Sequence, residues 1–177
     1  MNLKIKSVIF CLLFFLGSGC SQSARQPDIA PGGEFSYVPP EHWVLREVPG
    51  HKYKVAFGQP SNGFVPNINV VDEHAPVTLD DYVAGNLRVM PQMFEKMGIN
   101  HFRILSQAEF TTDFNQRGVR VVTESEMNGK NTRQTFYFFD GKNGNKFVVT
   151  CSVLAEVGES YDKLFDTSMK TFKTSRA

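Results

Sequence analysis

The sequence predicts an α+β fold, with two helices packed on an antiparallel sheet. Three observations predict it. Short segments of period-two apolar alternation lie on both sides of one long helical stripe. Hairpin signals join the later segments, and a second amphipathic stripe follows them. The order strands, helix, strands, helix is that of an antiparallel sheet with helices on it, not of alternating βαβ units.

Residues 34–38 read as a first strand ended by Pro39 and Pro40, and residues 43–47 as a second ended by Pro49 and Gly50. In residues 53–57, Tyr53, Val55 and Phe57 alternate with Lys54 and Ala56. A Gly-, Pro- and Asn-rich loop over 58–66 leads into a strand at 67–72. Phe64 and Val65 at the tip of that loop either form a small docking patch or fold back onto the core, and folding back is the expectation.

Thr78 opens a helix, its hydroxyl free to cap the first turn and Asp81 three residues on. Leu79, Tyr82, Val83, Leu87, Met90, Phe94 and Met97 recur at spacings of three and four, which makes one apolar stripe. Pro91 predicts a kink or a break near Met90, and Gly98 a stop. Short strand pieces follow at 101–105 and 108–110, then a strand at 118–127. Asn128-Gly129 is a hairpin turn, because both residues tolerate positive φ. Strands at 132–139 and 146–155 flank a second turn at Asp140-Gly141. Ser160 is expected to cap a last helix with the stripe Tyr161, Leu164, Phe165, Met169 and Phe172.

The first 33 residues are different in kind. Lys4 and Lys6 precede an uncharged apolar run over 8–16, too short for the ~20 residues that span a bilayer, and Gly17, Ser18 and Gly19 lead into Cys20. This is the layout of an export signal. Residues 16–20, Leu-Gly-Ser-Gly-Cys, resemble a bacterial lipobox, whose cysteine receives a diacylglyceryl group. They depart from it in having Gly17 where a large aliphatic residue is usual. The alternative is an ordinary secretory signal cut nearby, for instance after Ala24, with Cys20 discarded. The lipobox resemblance implies lipidation at Cys20, hence a membrane partner through the N-terminal lipid. Two or more acyl chains are what stable anchoring requires. In a Gram-negative cell Ser21, where the inner-membrane retention signal would be Asp, implies outer-membrane sorting. Residues 21–33, polar with two prolines and two glycines, read as a flexible tether. The expected organisation is thus a signal peptide over 1–19, a lipidated N-terminus and tether over 20–33, and one globular domain over 34–177.

Removing residues 1–19 takes Lys4 and Lys6 and no acid from the 19 basic and 18 acidic residues, so the remaining 158 carry a net charge of −1 with His neutral. A near-neutral chain gives no electrostatic case for nucleic acid. Cys11 falls in the signal and Cys20 takes the lipid, which leaves Cys151 without an internal disulfide partner. It sits in an apolar strand with no evident activating base beside it, and is expected to be a buried core residue.

The order of features is similar to that of the PsbP-like superfamily. The run over 35–43, Phe-Ser-Tyr-Val-Pro-Pro-Glu-His-Trp, resembles its opening aromatic strand, proline turn and tryptophan. The run over 66–71, Pro-Asn-Ile-Asn-Val-Val, followed by Leu79-Asp80-Asp81-Tyr82, resembles its central strand and long helix, and the closing meander and helix also match. The resemblance implies an α/β/α sandwich around a central antiparallel sheet. The PsbP extrinsic proteins of photosystem II, the Mog-type Ran-binding proteins and the bacterial DcrB-type lipoproteins share that fold. It implies assembly, docking or chaperone-like roles, and no catalytic residues that can be carried over.

The chain's own residues offer little chemistry. His42, His51, His74 and His101 have neither His-x-His nor His-Glu-x-x-His spacing. No Gly-x-Ser-x-Gly elbow is present, and Gly129-Lys130-Asn131-Thr132 lacks the upstream glycine of a phosphate loop. The run over 140–145 is too short and misregistered for an EF-hand loop. The densest set of potential ligands is Asp72, Glu73 and His74 with Asp80 and Asp81. These belong either to a divalent-cation site or to a solvated loop whose acids complement a helix N-terminus, and the second is expected. The expected function is therefore a non-enzymatic envelope lipoprotein, an interaction, assembly or docking module for another envelope protein, without a cofactor. The alternative is a carrier of a small ligand or divalent metal using Asp72 to Asp81.

Overall fold

The computed structural model describes residues 28–29 and 34–175. Seven strands form the main sheet: β3 (Val44–Arg46), β4 (Val55–Phe57), β5 (Asn67–His74), β6 (Asn100–Thr111), β7 (Arg117–Met127), β8 (Lys130–Asp140) and β9 (Asn145–Leu154). Their spatial order is β3-β4-β5-β9-β8-β7-β6, and every pair is antiparallel. Helix α1 (Leu79–Lys96) carries the chain from β5 across one face to the far edge strand β6, and α2 (Gly158–Lys170) lies on the other face. The fold is α+β, an antiparallel sheet between two helices.

The pleat divides the core in two. Toward α1 point Val119, Val121, Phe136, Phe138 and Val148, packed against Leu79, Tyr82, Val83, Met90 and Phe94. Toward α2 point Tyr137, Phe139, Phe147, Val149 and Cys151, packed against Phe165, Met169 and Phe172. Strand β8 is therefore apolar on both faces over 136–139, as a central strand covered twice must be. Cys151 is fully buried, and burial pushes its thiol pKa well up. A small second sheet joins β1 (Asp28–Ile29), β2 (Phe35–Tyr37) and β10 (Lys173–Thr174), and its Phe35 and Tyr37 complete the α2-side core.

Several local expectations change. The helix does not break at Pro91. Pro91 itself is exposed, while Met90 and Phe94 to either side of it are buried and hold the helix in the core. Thr78 caps α1 as expected, its hydroxyl accepting from the Asp81 amide at 3.1 Å. Ser160 does not cap α2. The helix begins two residues earlier, at Gly158, and the Ser160 hydroxyl donates to the Val157 carbonyl at 2.7 Å. Gly158 permits that start because a Cβ there would lie 2.1 Å from Arg133 Cδ. The two short pieces expected at 101–110 are one strand, β6, interrupted by register shifts between Asn100 and Arg103 and between Ile104 and Ser106. Asn128 and Gly129 take φ of 50° and 70°, the conformation their hairpin requires.

Cys20 and residues 21–27 lie outside the described residues. Asp28 and Ile29, which the sequence assigns to the tether, instead pair with Tyr37 and Ser36 of β2. No helix among the described residues is long and apolar enough to cross a membrane.

Candidate functional site

The β7–β8 hairpin, the start of β6, the end of β9 and the 58–66 loop meet at one end of the sheet around a cleft of about 960 Å³. Asn62, Lys130 and Glu156 form one wall. Lys130 Nζ donates to the Asn62 carbonyl at 2.7 Å, and the Asn62 amide donates to Glu156 at 2.6 Å. His101, Phe102 and Arg103 supply the β6 side, and Glu124 and Ser125 the floor.

An alternating chain of charges runs from this cleft under α2. Arg103 meets Glu124 at 2.5 Å, Glu124 meets Arg133 at 3.2 Å, and Arg133 meets Asp162 at 2.7 Å. Arg120 continues it, 3.5 Å from Asp162 and 2.8 Å from Asp166, whose carboxylate also accepts from the Tyr137 hydroxyl at 2.5 Å. Three cations thus face three anions. The guanidinium of Arg133 is held above its usual pKa, first by the Asp162 carboxylate. The chain fastens α2 to β7 and β8 and places charge on the cleft's β6 wall.

Near the cleft, one hydroxyl pairs with another and one accepts from a side-chain amide. Ser125 Oγ lies 3.2 Å from Thr132 Oγ1, and Gln134 donates to Ser152 at 3.2 Å. None of these partners is a general base. Phe64 folds back and is buried, so the 58–66 loop does not present its aromatic ring.

The acidic set singled out in the sequence is not brought together. Asp72 and Glu73 project from opposite faces of β5. Lys52 reaches Asp72 at 2.9 Å, and Asn145 donates to it at 3.1 Å. Glu73 accepts from the Tyr82 hydroxyl at 2.5 Å. Asp80 takes Arg117 at 2.9 Å, and Asp81 accepts from the Thr78 hydroxyl at 2.8 Å. His74 is exposed. Among the described residues no three His, Cys, Asp or Glu side chains converge as metal ligands.

What the sequence did not single out is β6. It pairs with β7 alone, so along its outer side runs a row of backbone donors and acceptors without a strand partner in this sheet. Ile104 and Leu105 beside the cleft are 44% and 40% exposed. The expected division of 101–110 into two short pieces hid this long edge.

No family model and no curated protein matches the sequence. The structure is similar to cyanobacterial PsbP (CyanoP) of Synechocystis, with a TM-score of 0.65 at 16% identity over 90% of this chain and 99% of that one. It is similar to LpqN, involved in cell envelope biogenesis of Mycobacterium tuberculosis, with a TM-score of 0.57 at 14% identity over 87% of each chain. It is also similar to the Saccharomyces cerevisiae Ran-binding protein Mog1p, with a TM-score of 0.54 at 12% identity over 85% of this chain and 96% of that one. The fold is PsbP-like, as the sequence resemblance implied.

Proposed function

We propose that this protein is a non-enzymatic lipoprotein of the bacterial envelope, anchored through Cys20, that docks a protein partner along β6. The unpartnered outer edge of β6, with Ile104 and Leu105 exposed beside the cleft, carries this reading. An extended backbone can pair along such an edge, so in this reading the partner supplies a strand and its flanking residues enter the cleft. The register shifts in β6 and the charged Arg103 discourage indiscriminate edge pairing and leave room for a specific one. The Ser125 hydroxyl at the cleft, paired with Thr132 and not with a base, supports binding over catalysis. LpqN's connection with the cell envelope and Mog1p's with a protein partner agree with this reading.

Site-specific photo-crosslinking tests it. A crosslinker at Leu105 is expected to give one adduct, mapped to one extended segment of one envelope protein. A crosslinker at the exposed Glu95 on α1 is expected to give none. Equal labelling from both positions, or substrate turnover by the purified protein, would overturn the reading.

A further inference from the structure

We propose that the end of the domain carrying Phe114, Lys170 and Lys173 rests on the phospholipid surface that holds the anchor, so that the cleft faces away from the membrane. The proposal rests on the lipid at Cys20 given above, and adds to it the surface by which the domain meets the bilayer.

The anchor's position leads to this end. Only residues 21–27 separate Cys20 from β1, and seven residues span at most about 25 Å at ~3.3–3.6 Å per residue. Within the small sheet, Ile29 pairs with Ser36 and Ser36 with Lys173. Ile29 and Lys173 therefore flank a single strand, at roughly 10 Å, or two interstrand spacings. The 112–116 loop is tied to the same place. The Asp113 amide donates to the Lys170 carbonyl at 2.8 Å, and the Thr174 amide donates to Gln116 at 3.1 Å.

The chemistry of this end suits a phospholipid surface. Phe114 is the most exposed large apolar side chain among the described residues, at 46%, and the Lys173 ammonium lies 5.1 Å from its ring centroid. Lys170 donates from its ammonium to the Thr111 carbonyl and lies 4.9 Å from the Phe110 ring centroid. Asp113 is the acid of the loop itself, while Arg117 takes both Glu109 and Asp80 at 2.9 Å. Lys170, Lys173 and Arg117 balance Asp113, Glu109 and Asp80 in charge, and the two lysines flank an aromatic tip that can insert at an interface while their ammonium groups meet lipid phosphates.

The same geometry points the cleft outward. Phe114 lies between the end of β6 and the start of β7, whereas the cleft lies at the start of β6 and the end of β7. Strand β7, 11 residues long, separates the two ends by about 35 Å at ~3.3 Å per residue.

The test uses the full-length protein extracted from membranes and reconstituted in vesicles of phosphatidylcholine and phosphatidylglycerol with brominated acyl chains. Trp43 is the one native tryptophan, so the wild type gives its own background. Phe114→Trp is expected to add emission that the brominated lipid largely quenches, and K173E to weaken that quenching in anionic vesicles. Asn131→Trp, at the cleft, is expected to add emission that is not quenched. Intact mass of the same preparation separates the two readings. A lipidated Phe114→Trp protein whose added emission stays unquenched overturns the resting surface and leaves the anchor. A protein without lipid overturns both.

Discussion

Arg133 of β8 and Asp162 of α2 meet at 2.7 Å, both largely shielded from solvent, where Gly158 lets the helix approach the strand. Their pairing closes the charge chain from the cleft onto the helix. Asp162→Ala removes the acceptor and leaves the Arg133 guanidinium with Glu124 alone. The expected loss is about 1–3 kcal/mol, the penalty for an under-satisfied buried group, read as a lower urea midpoint at unchanged slope. Arg103→Ala, whose side chain is 68% exposed, is expected to change stability by less than ~1 kcal/mol.

Asp72 and Lys52 set an acid dependence. Burial disfavours the Asp72 carboxylate, but the Lys52 ammonium and the Asn145 amide outweigh it and hold the carboxyl below its usual range. A lowered folded value means that the contribution is complete above the unfolded carboxylate range, near pH ~4. It is lost as pH falls through the lower folded value. Asp72→Asn is expected to destabilise at pH 7, and the difference from wild type to shrink in urea titrations below that range.

Glu73 has the opposite sign. Burial raises its carboxyl, only partly opposed by the Tyr82 hydroxyl that donates to it. Its charge therefore costs stability at neutral pH, and the cost disappears below its unfolded value. Glu73→Gln keeps an oxygen for Tyr82 and removes the charge. It is expected to raise the melting temperature at pH 7 and to match wild type below about pH 4.

Cys151 should be inert. Its fully buried thiol, with a raised pKa, is expected to resist iodoacetamide at pH 8 in the folded protein and to react once urea unfolds it. Rapid modification of the native protein would contradict the packing described for the α2-side core.

The β6 edge should be separable from folding. Replacing Ile104 and Leu105 together by lysine places charge on an exposed edge and is expected to leave stability within ~0.5 kcal/mol per site. The same pair is expected to abolish the photo-crosslinked adduct formed at neighbouring positions of β6.

The strands, the helices and the two-sided core were legible because period-two and period-3.6 patterns record burial directly. Thr78 and Asn128-Gly129 were legible because capping and positive φ are local properties of those residues. Whether Pro91 would interrupt the helix was not legible, because a proline inside a helix is tolerated or not according to its tertiary setting. Ser160 misled because the start of α2 is set by the fit of Gly158 against Arg133, a residue 25 positions earlier in the chain. The cleft and the β6 edge were invisible for the same reason. An edge strand is defined by the neighbour it lacks, and the charges linking Arg103 to Asp166 come from four separate elements. Asp72 and Glu73, adjacent in the chain and counted among the potential ligands, are sent by the pleat to opposite faces.

That the domain works from a lipid on Cys20 is the claim on which its proposed address and orientation depend. Intact mass spectrometry of the protein extracted from membranes tests it most directly. The expected species is a chain beginning at Cys20 and heavier than its amino-acid mass by a diacylglyceryl group, with or without a further acyl chain. A chain beginning at another residue, at its bare amino-acid mass, would contradict it.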